Sequence, residues 1–199
     1  MAAPLSVCVS RRRLSRGFSL VELLVSIAIL TILLVISVPT LMRAYRSYQL
    51  GDAASRFSGT LKYTRFSAIR KNTPVACQVQ QIGTDWVIWT DSDGDGNPSP
   101  GEQQLVVNGI ITLLDDGAVP SPAAIIAAIQ SAGLNTLSPT NTAVTYDQRG
   151  GLKTPNTPSV FYLGNTEIPE MGFRAVVLLP AGTVQVWTAP PGGPWQRVS

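Results

Sequence analysis

Histidine is absent from the 199-residue chain. That removes the commonest general base and the commonest nitrogen ligand for zinc. Cysteine is nearly absent: Cys8 and Cys77 are the only two, so no disulfide framework is available. Cys8 falls in a basic stretch at the N-terminus. Cys77 falls in Val75–Val79, where Val75, Cys77 and Val79 alternate to one side, the pattern of a buried, inert thiol. A nucleophilic cysteine would need a base, and no histidine can supply it. No paired catalytic carboxylates stand in the strand-like runs either, so an enzyme is not expected. Charge is sparse as well, at 14% of residues against 45% hydrophobic. Arg11, Arg12, Arg13 and Arg16 crowd the N-terminus; without them, 11 basic residues face 12 acidic ones. The sequence pI of about 9.1 is therefore a property of the leader. It argues against a nucleic-acid-binding body.

The chain does have one long apolar run, Phe18–Val38, 21 residues with Glu22 as the single charge. It is long enough to cross a bilayer as a helix. It is too long for the apolar centre of a secretory signal peptide, and no small-residue cleavage site follows it. The arginines before it place the N-terminus in the cytoplasm and the rest of the chain across the membrane. A lone acid at the centre of a bilayer helix costs on the order of 2.5–3.5 kcal/mol. Either Glu22 stays wet near the interface or it has a partner. Cleavage just before Phe18 would create a charged α-amino group, which a Glu22 on a neighbouring subunit could neutralise. Such a pair would stabilise assembly and set the axial register of packed helices.

The stretch Arg16-Gly17-Phe18-Ser19-Leu20-Val21-Glu22-Leu23-Leu24-Val25 resembles the class III signal of type IV pilins and pseudopilins. The resemblance implies cleavage between Gly17 and Phe18 by a prepilin peptidase, then N-methylation of Phe18. It also implies that Glu22 is the assembly glutamate and that Pro39 is the proline that kinks the helix, since a proline inside a helix removes one backbone bond and bends it. Beyond Pro39, the residues Leu50, Ala54, Phe57, Leu61, Thr64 and Ala68 recur at spacings of four and three, one face of an amphipathic helix. Pro74 is the expected stop. A helix from Phe18 to about Lys71 would measure roughly 80 Å at 1.5 Å per residue. Its second half needs a sheet to lie against. Arg43 and Arg46 could meet lipid headgroups or simply form a solvated face.

After Pro74 the pattern changes to short β-rich runs separated by Gly, Pro, Asn and Asp. Strands are predicted at Val75–Ile82, Trp86–Thr90, Gln104–Val107, Ile110–Leu114, Ala143–Asp147, Ser159–Leu163, Arg174–Leu179 and Thr183–Trp187, the last two joined as a hairpin. One helical interruption covers Ala123–Ile129, with Ser121 able to cap it, Pro122 suited to its first turn and Gly133 to its stop. It is apolar on several sides, which suits either a lid packed onto the sheet or a subunit contact. The predicted fold is α+β: a long N-terminal transmembrane and amphipathic helix packed on an antiparallel β domain, with a short extra helix. The segments are a leader (1–17), a membrane and assembly segment (18–38), the amphipathic continuation (39–73) and a β-rich globular domain (74–199).

The loop Asp91-Ser92-Asp93-Gly94-Asp95-Gly96-Asn97-Pro98-Ser99-Pro100-Gly101-Glu102 fits the pattern of a calcium-binding loop. Calcium takes six to eight oxygens. Asp91, Asp93 and Asp95 would give carboxylates, Asn97 a carbonyl, Ser99 a direct or water-mediated contact, and Glu102 a bidentate carboxylate. Gly96 allows the sharp turn. The flanks WVIWT and QQLVV read as strands, and Pro98 stands where paired helix–loop–helix sites place an aliphatic residue. A structural Ca2+ staple and a plain solvated acidic hairpin both remain open.

The order of pieces is similar to the GspH/FimT family of minor pseudopilins and minor pilins. The shared motifs are the strand pair around a Trp with an acidic turn ending in Glu (Trp86–Glu102), the aromatic strand running into a glycine turn (Tyr146-Asp147-Gln148-Arg149-Gly150) and the final hairpin. The extra helix is an addition to that pattern. The resemblance implies a pilin-like fold and a structural minor subunit. The first expectation is a type II secretion pseudopilin contributing to filament assembly or tip. The alternative is a type IV pilus minor pilin acting in pilus biogenesis or DNA uptake. Either way it implies a single-pass protein of a bacterial inner membrane with a periplasmic domain. The implied partners are other pilins through the N-terminal helix, the prepilin peptidase, membrane lipid and, for a pseudopilin, secreted cargo. DNA is not an expected partner: phosphate neutralisation needs several cations. The C-terminal tail offers only Arg197, and Arg149, Lys153 and Arg174 would help only if they cluster.

Overall fold

The computed structural model describes residues 19–134, 137–153 and 157–198. The chain divides into two compact units, one ending at Leu41 and one beginning at Met42. The first is the N-terminal part of helix α1 (Leu20–Lys71), which runs through Pro39. Every described residue from Ser19 to Leu41 is exposed. A helix apolar on all sides and bare of packing is one whose solvent is lipid or other helices, and this one is long and apolar enough to cross a membrane.

In the second unit α1 becomes one-sided. Leu50, Ala54, Phe57, Leu61, Thr64 and Ala68, the face expected from periodicity, are all fully buried. Thr64 is tolerated there because its hydroxyl oxygen lies 2.9 Å from the Thr60 carbonyl and 2.8 Å from the Thr90 hydroxyl. The helix stops at Lys71, three residues before Pro74. Asn72 takes a left-handed φ of 51° and the Thr73 amide donates back to the Ala68 carbonyl. Asparagine tolerates that conformation better than most residues.

Two sheets pack around the helix. In chain order the strands are β1 (Val75–Ile82), β2 (Asp85–Asp91), β3 (Gln104–Val107), β4 (Thr112–Leu114), β5 (Ser138–Pro139), β6 (Val144–Tyr146), β7 (Ser159–Gly164), β8 (Phe173–Leu178), β9 (Val184–Ala189) and β10 (Gln196–Arg197). The first sheet has the order β3-β2-β1-β6; the second runs β10-β9-β8-β7-β4, with β5 beside β7. All pairings are antiparallel except β5 with β7. The main core gathers the α1 stripe, Cys77, Val79 and Ile88 of the first sheet, and Phe161, Leu163, Val176 and Leu178 of the second. Alternation along β7 and β8 turns Val160, Tyr162, Ala175 and Val177 the other way, onto helix α2 (Ala123–Ser131) and Trp195.

The long-helix-on-antiparallel-sheet arrangement expected of a pilin-like fold is therefore present, and its strands divide into two sheets. α2 is packed down through Ile125 and Ile129. Its predicted cap is corrected: the helix begins at Ala123, the cap position is Pro122, and no side chain caps it. Ser121 stands one residue too early to reach the first free amides. Gly133 does close the helix, its amide donating to the Gln130 carbonyl and that of Leu134 to Ile129. The strand predicted from Ile110 starts only at Thr112, because a turn bonds the Ile111 amide to the Asn108 carbonyl.

Gly182, in the β8–β9 turn, has φ 78°, and a Cβ there would run into the Gly150 carbonyl oxygen. Gly182→Ala should lower stability by more than about 2 kcal/mol. Gly59 lies in α1 with nothing within 4 Å of an added Cβ, so Gly59→Ala should raise stability by about 0.5–1 kcal/mol. Denaturant melts of the two variants should move in opposite directions.

Candidate functional site

Of the residues predicted to carry processing and assembly, Gly17 and Phe18 lie outside the described residues. Glu22 sits in the first turn of α1 and is exposed. An acid at that end of a helix is favoured by the backbone dipole. The Ser26 hydroxyl donates to the backbone carbonyl of Glu22 at 2.7 Å, not to its carboxylate. Pro39 lies inside the helix.

The acidic loop joins β2 to β3, with the Thr90 amide bonded to the Gln103 carbonyl at its base. Strand β2 delivers Asp91 into a buried position with 5% of its surface exposed. Its Oδ1 accepts the Gly94 amide at 2.7 Å; its Oδ2 accepts the Gly96 amide at 3.1 Å and the Gln78 side-chain amide at 2.9 Å. Gly96 has φ 72°, the sharp turn that the spacing required. Asp93 and Asp95 accept the amides of Asp95 and Asn97. The three aspartates each present an oxygen within 4.8 Å of the others. The other predicted ligands behave differently. Glu102 is outside that cluster, and its two oxygens clasp the loop by accepting the Ser92 amide at 2.6 Å and the Ser99 amide at 3.1 Å. The Asn97 side chain donates to the Asp95 carbonyl, and the Ser99 hydroxyl reaches the Asp95 carboxylate at 3.4 Å. Lys71 donates to the Ser92 carbonyl at 2.7 Å and brings one cation to the loop.

Cys77 is fully buried, and burial pushes its thiol up to about 12. A thiol that holds its proton so firmly is not a nucleophile at neutral pH.

The cations weighed for DNA do not form one patch. Arg149 and Lys153 share the turn after β6, where the Asp147 carboxylate accepts the amides of Arg149 and Gly151. That turn is pinned to α1 by Arg65, whose Nε donates to the Gly150 carbonyl at 2.9 Å. Arg174 instead lies against Gly51, fourteen residues earlier on the helix, roughly 20 Å along its axis. The role of Arg65 was missed by sequence reasoning because its position off the apolar stripe reads as a solvated charge. Its signal was the glycine turn that needed a partner for its inward carbonyl.

The model of the family described as type II transport protein GspH matches residues 53–182. The model of the prokaryotic N-terminal methylation motif matches residues 12–38. Two crystal structures of the type IV minor pilin FimU from Pseudomonas aeruginosa (strain PAO1) resemble parts of the chain. The form in space group P65 is 18% identical with a TM-score of 0.46, covering 69% of this chain and 91% of FimU. The form in P21 is 18% identical with a TM-score of 0.47, covering 76% and 94%. No curated protein matches the chain. The GspH match spans well over half of the sequence and coincides with the helix-and-sheet unit, so the chain belongs to the GspH family of minor pilins and pseudopilins.

Proposed function

We propose that this chain is a minor pseudopilin of a type II secretion filament, a structural subunit made in the inner membrane with its globular unit in the periplasm. The observation that carries this reading is the coupling of two features in one helix. An exposed apolar segment bearing a single carboxylate, Glu22, leads into a segment built into a domain of a type II transport family. Prepilin peptidase removes residues 1–17, Phe18 becomes the N-methylated first residue, and Glu22 pairs with the α-amino group of a neighbouring subunit as helices pack. That pairing removes the cost of an isolated acid in hydrocarbon. Pro39 bends the segment at the membrane exit. Secreted cargo is the partner that distinguishes this role from that of a pilus subunit.

A replacement of Gly17 by a branched residue should leave the leader attached, seen as an intact-mass increase equal to residues 1–17. Glu22→Ala should be cleaved normally but fail to enter filaments. Glu22→Ala entering filaments at wild-type levels would contradict the assembly role.

We further propose that the Asp91–Glu102 loop takes a calcium ion as a structural staple between β2 and β3. The clustering of Asp91, Asp93 and Asp95 supports this, because three carboxylates that close repel one another unless a cation intervenes. Asp91 also holds two loop amides and Gln78, whereas Asp93 holds only one exposed amide. Calcium at about 100 times its dissociation constant should therefore stabilise the chain by about 2.7 kcal/mol. Asp93→Ala should abolish that gain with little effect in EDTA. Asp91→Ala should destabilise by about 1–3 kcal/mol even in EDTA. Identical melts with calcium and with EDTA would overturn the staple.

A further inference from the structure

The pattern of β8 places one charge on a face that is otherwise apolar. Arg174, Val176 and Leu178 alternate to the same side, and Val176 and Leu178 complete the main core against α1. Arg174 ends that row with a half-buried guanidinium. The helix opposite leaves room for it: Ser47, Gly51 and Ser55, spaced by four, put small residues under the side chain, and the guanidinium lies 3.9 Å from where a Gly51 Cβ would be. Directly across the strand pair stands Thr188.

Among the described residues no carboxylate pairs with Arg174. Its Nη1 donates to its neighbour's carbonyl at Phe173, and its Nη2 donates to the Ser47 hydroxyl at 3.3 Å. The acid that lines one of the recesses beside Arg174, Glu170, is paired with Arg43 at 2.7 Å. Burial lowers the pKa of Arg174, the mark of a charge that has lost water without gaining a counter-ion; the group nevertheless stays protonated. Recesses of about 280 and 380 Å³ open on its two sides, one beside Ser47 and the other bounded by Gly51, Ser55 and the exposed Val198. Each has room for a side chain.

We propose that Arg174, with the hydroxyls of Ser47, Ser55 and Thr188 around it, is a socket for a carboxylate side chain of a neighbouring filament subunit. A guanidinium presents a planar fork that matches one carboxylate. A single cation flanked by hydroxyls suits a monoanion better than a phosphate polymer, which needs several cations in a row. A half-buried cation with no carboxylate partner among the described residues becomes a specificity element when a partner supplies the acid, because a mismatched neighbour leaves the charge desolvated and uncompensated. The inference rests on the reading of this chain as a filament subunit.

The test uses the full-length chain in cells that assemble the filament, with photoreactive p-benzoylphenylalanine at Val198. Ultraviolet light should join it, within purified filaments, to another pilin subunit at a peptide bearing Asp or Glu. Arg174→Gln should reduce that adduct about tenfold or more while leader removal and the melting temperature in detergent stay unchanged. Arg174→Glu combined with Arg at the mapped acid should restore it. An adduct indifferent to Arg174→Gln, a mapped peptide without an acid, or an adduct with lipid or DNA instead would overturn the socket. So would a fall in melting temperature with Arg174→Gln and no rescue by the charge swap, which would mark Arg174 as structural. Absence of the unmodified chain from filaments would instead remove the subunit reading, and the socket with it.

Discussion

One stripe of α1, from Leu50 to Ala68, is the surface on which the rest of the globular unit is built. Leu50, Phe57 and Leu61 lose all contact with water there. At about 1.5–3 kcal/mol for each large apolar side chain, those three alone contribute about 5–9 kcal/mol, comparable to the whole net stability of a domain. Neither sheet could replace this contact with the other. The first supplies Cys77, Val79 and Ile88, the second Phe161 and Val176, and both sets meet the same helix. Phe57 and Phe161 meet edge to face with centroids 4.7 Å apart, a geometry worth more than its buried area.

Polar groups on the inner side of the helix find partners across the domain, whereas the Tyr146 hydroxyl in the same core has none among the described residues. Thr64 shares its hydroxyl with Thr90, and Arg65 reaches the carbonyl that Gly182 crowds. The second core, under α2, is independent of the α1 stripe and is closed by Trp195, whose indole N–H donates to the Pro120 carbonyl at 2.9 Å. A filament subunit must keep its helix anchored while that helix is drawn out of lipid. A domain wrapped on both flanks of the stripe resists being peeled from it better than a single sheet would.

Much of this was legible in the sequence, for identifiable reasons. The α1 stripe followed from helical periodicity, and every residue assigned to it is buried. The eight longer strands carried β-branched and aromatic runs between turn residues. β5 and β10, two residues each, are too short for any period to show. The division into two sheets was not legible, because pairings such as β1 with β6 and β4 with β7 join segments far apart in sequence. The start of α2 at Ala123 was legible, but its cap was not, because Ser121 and Pro122 both carry start signals and only geometry decides between them. In the acidic loop, spacing identified the three clustered aspartates, but the same spacing assigned Glu102 a ligand role where it clasps two backbone amides. Arg174 looked like one more surface charge; only the alternation of β8 against α1 turns it inward.

Protein secretion is the role proposed for this family member. It is tested most directly by deleting its gene and scoring secreted proteins and surface pili in parallel, with twitching and DNA uptake as further readouts. Loss of exoprotein secretion with pili intact is the predicted result. Loss of pili, twitching or transformation with secretion intact would contradict it and make the chain a type IV minor pilin.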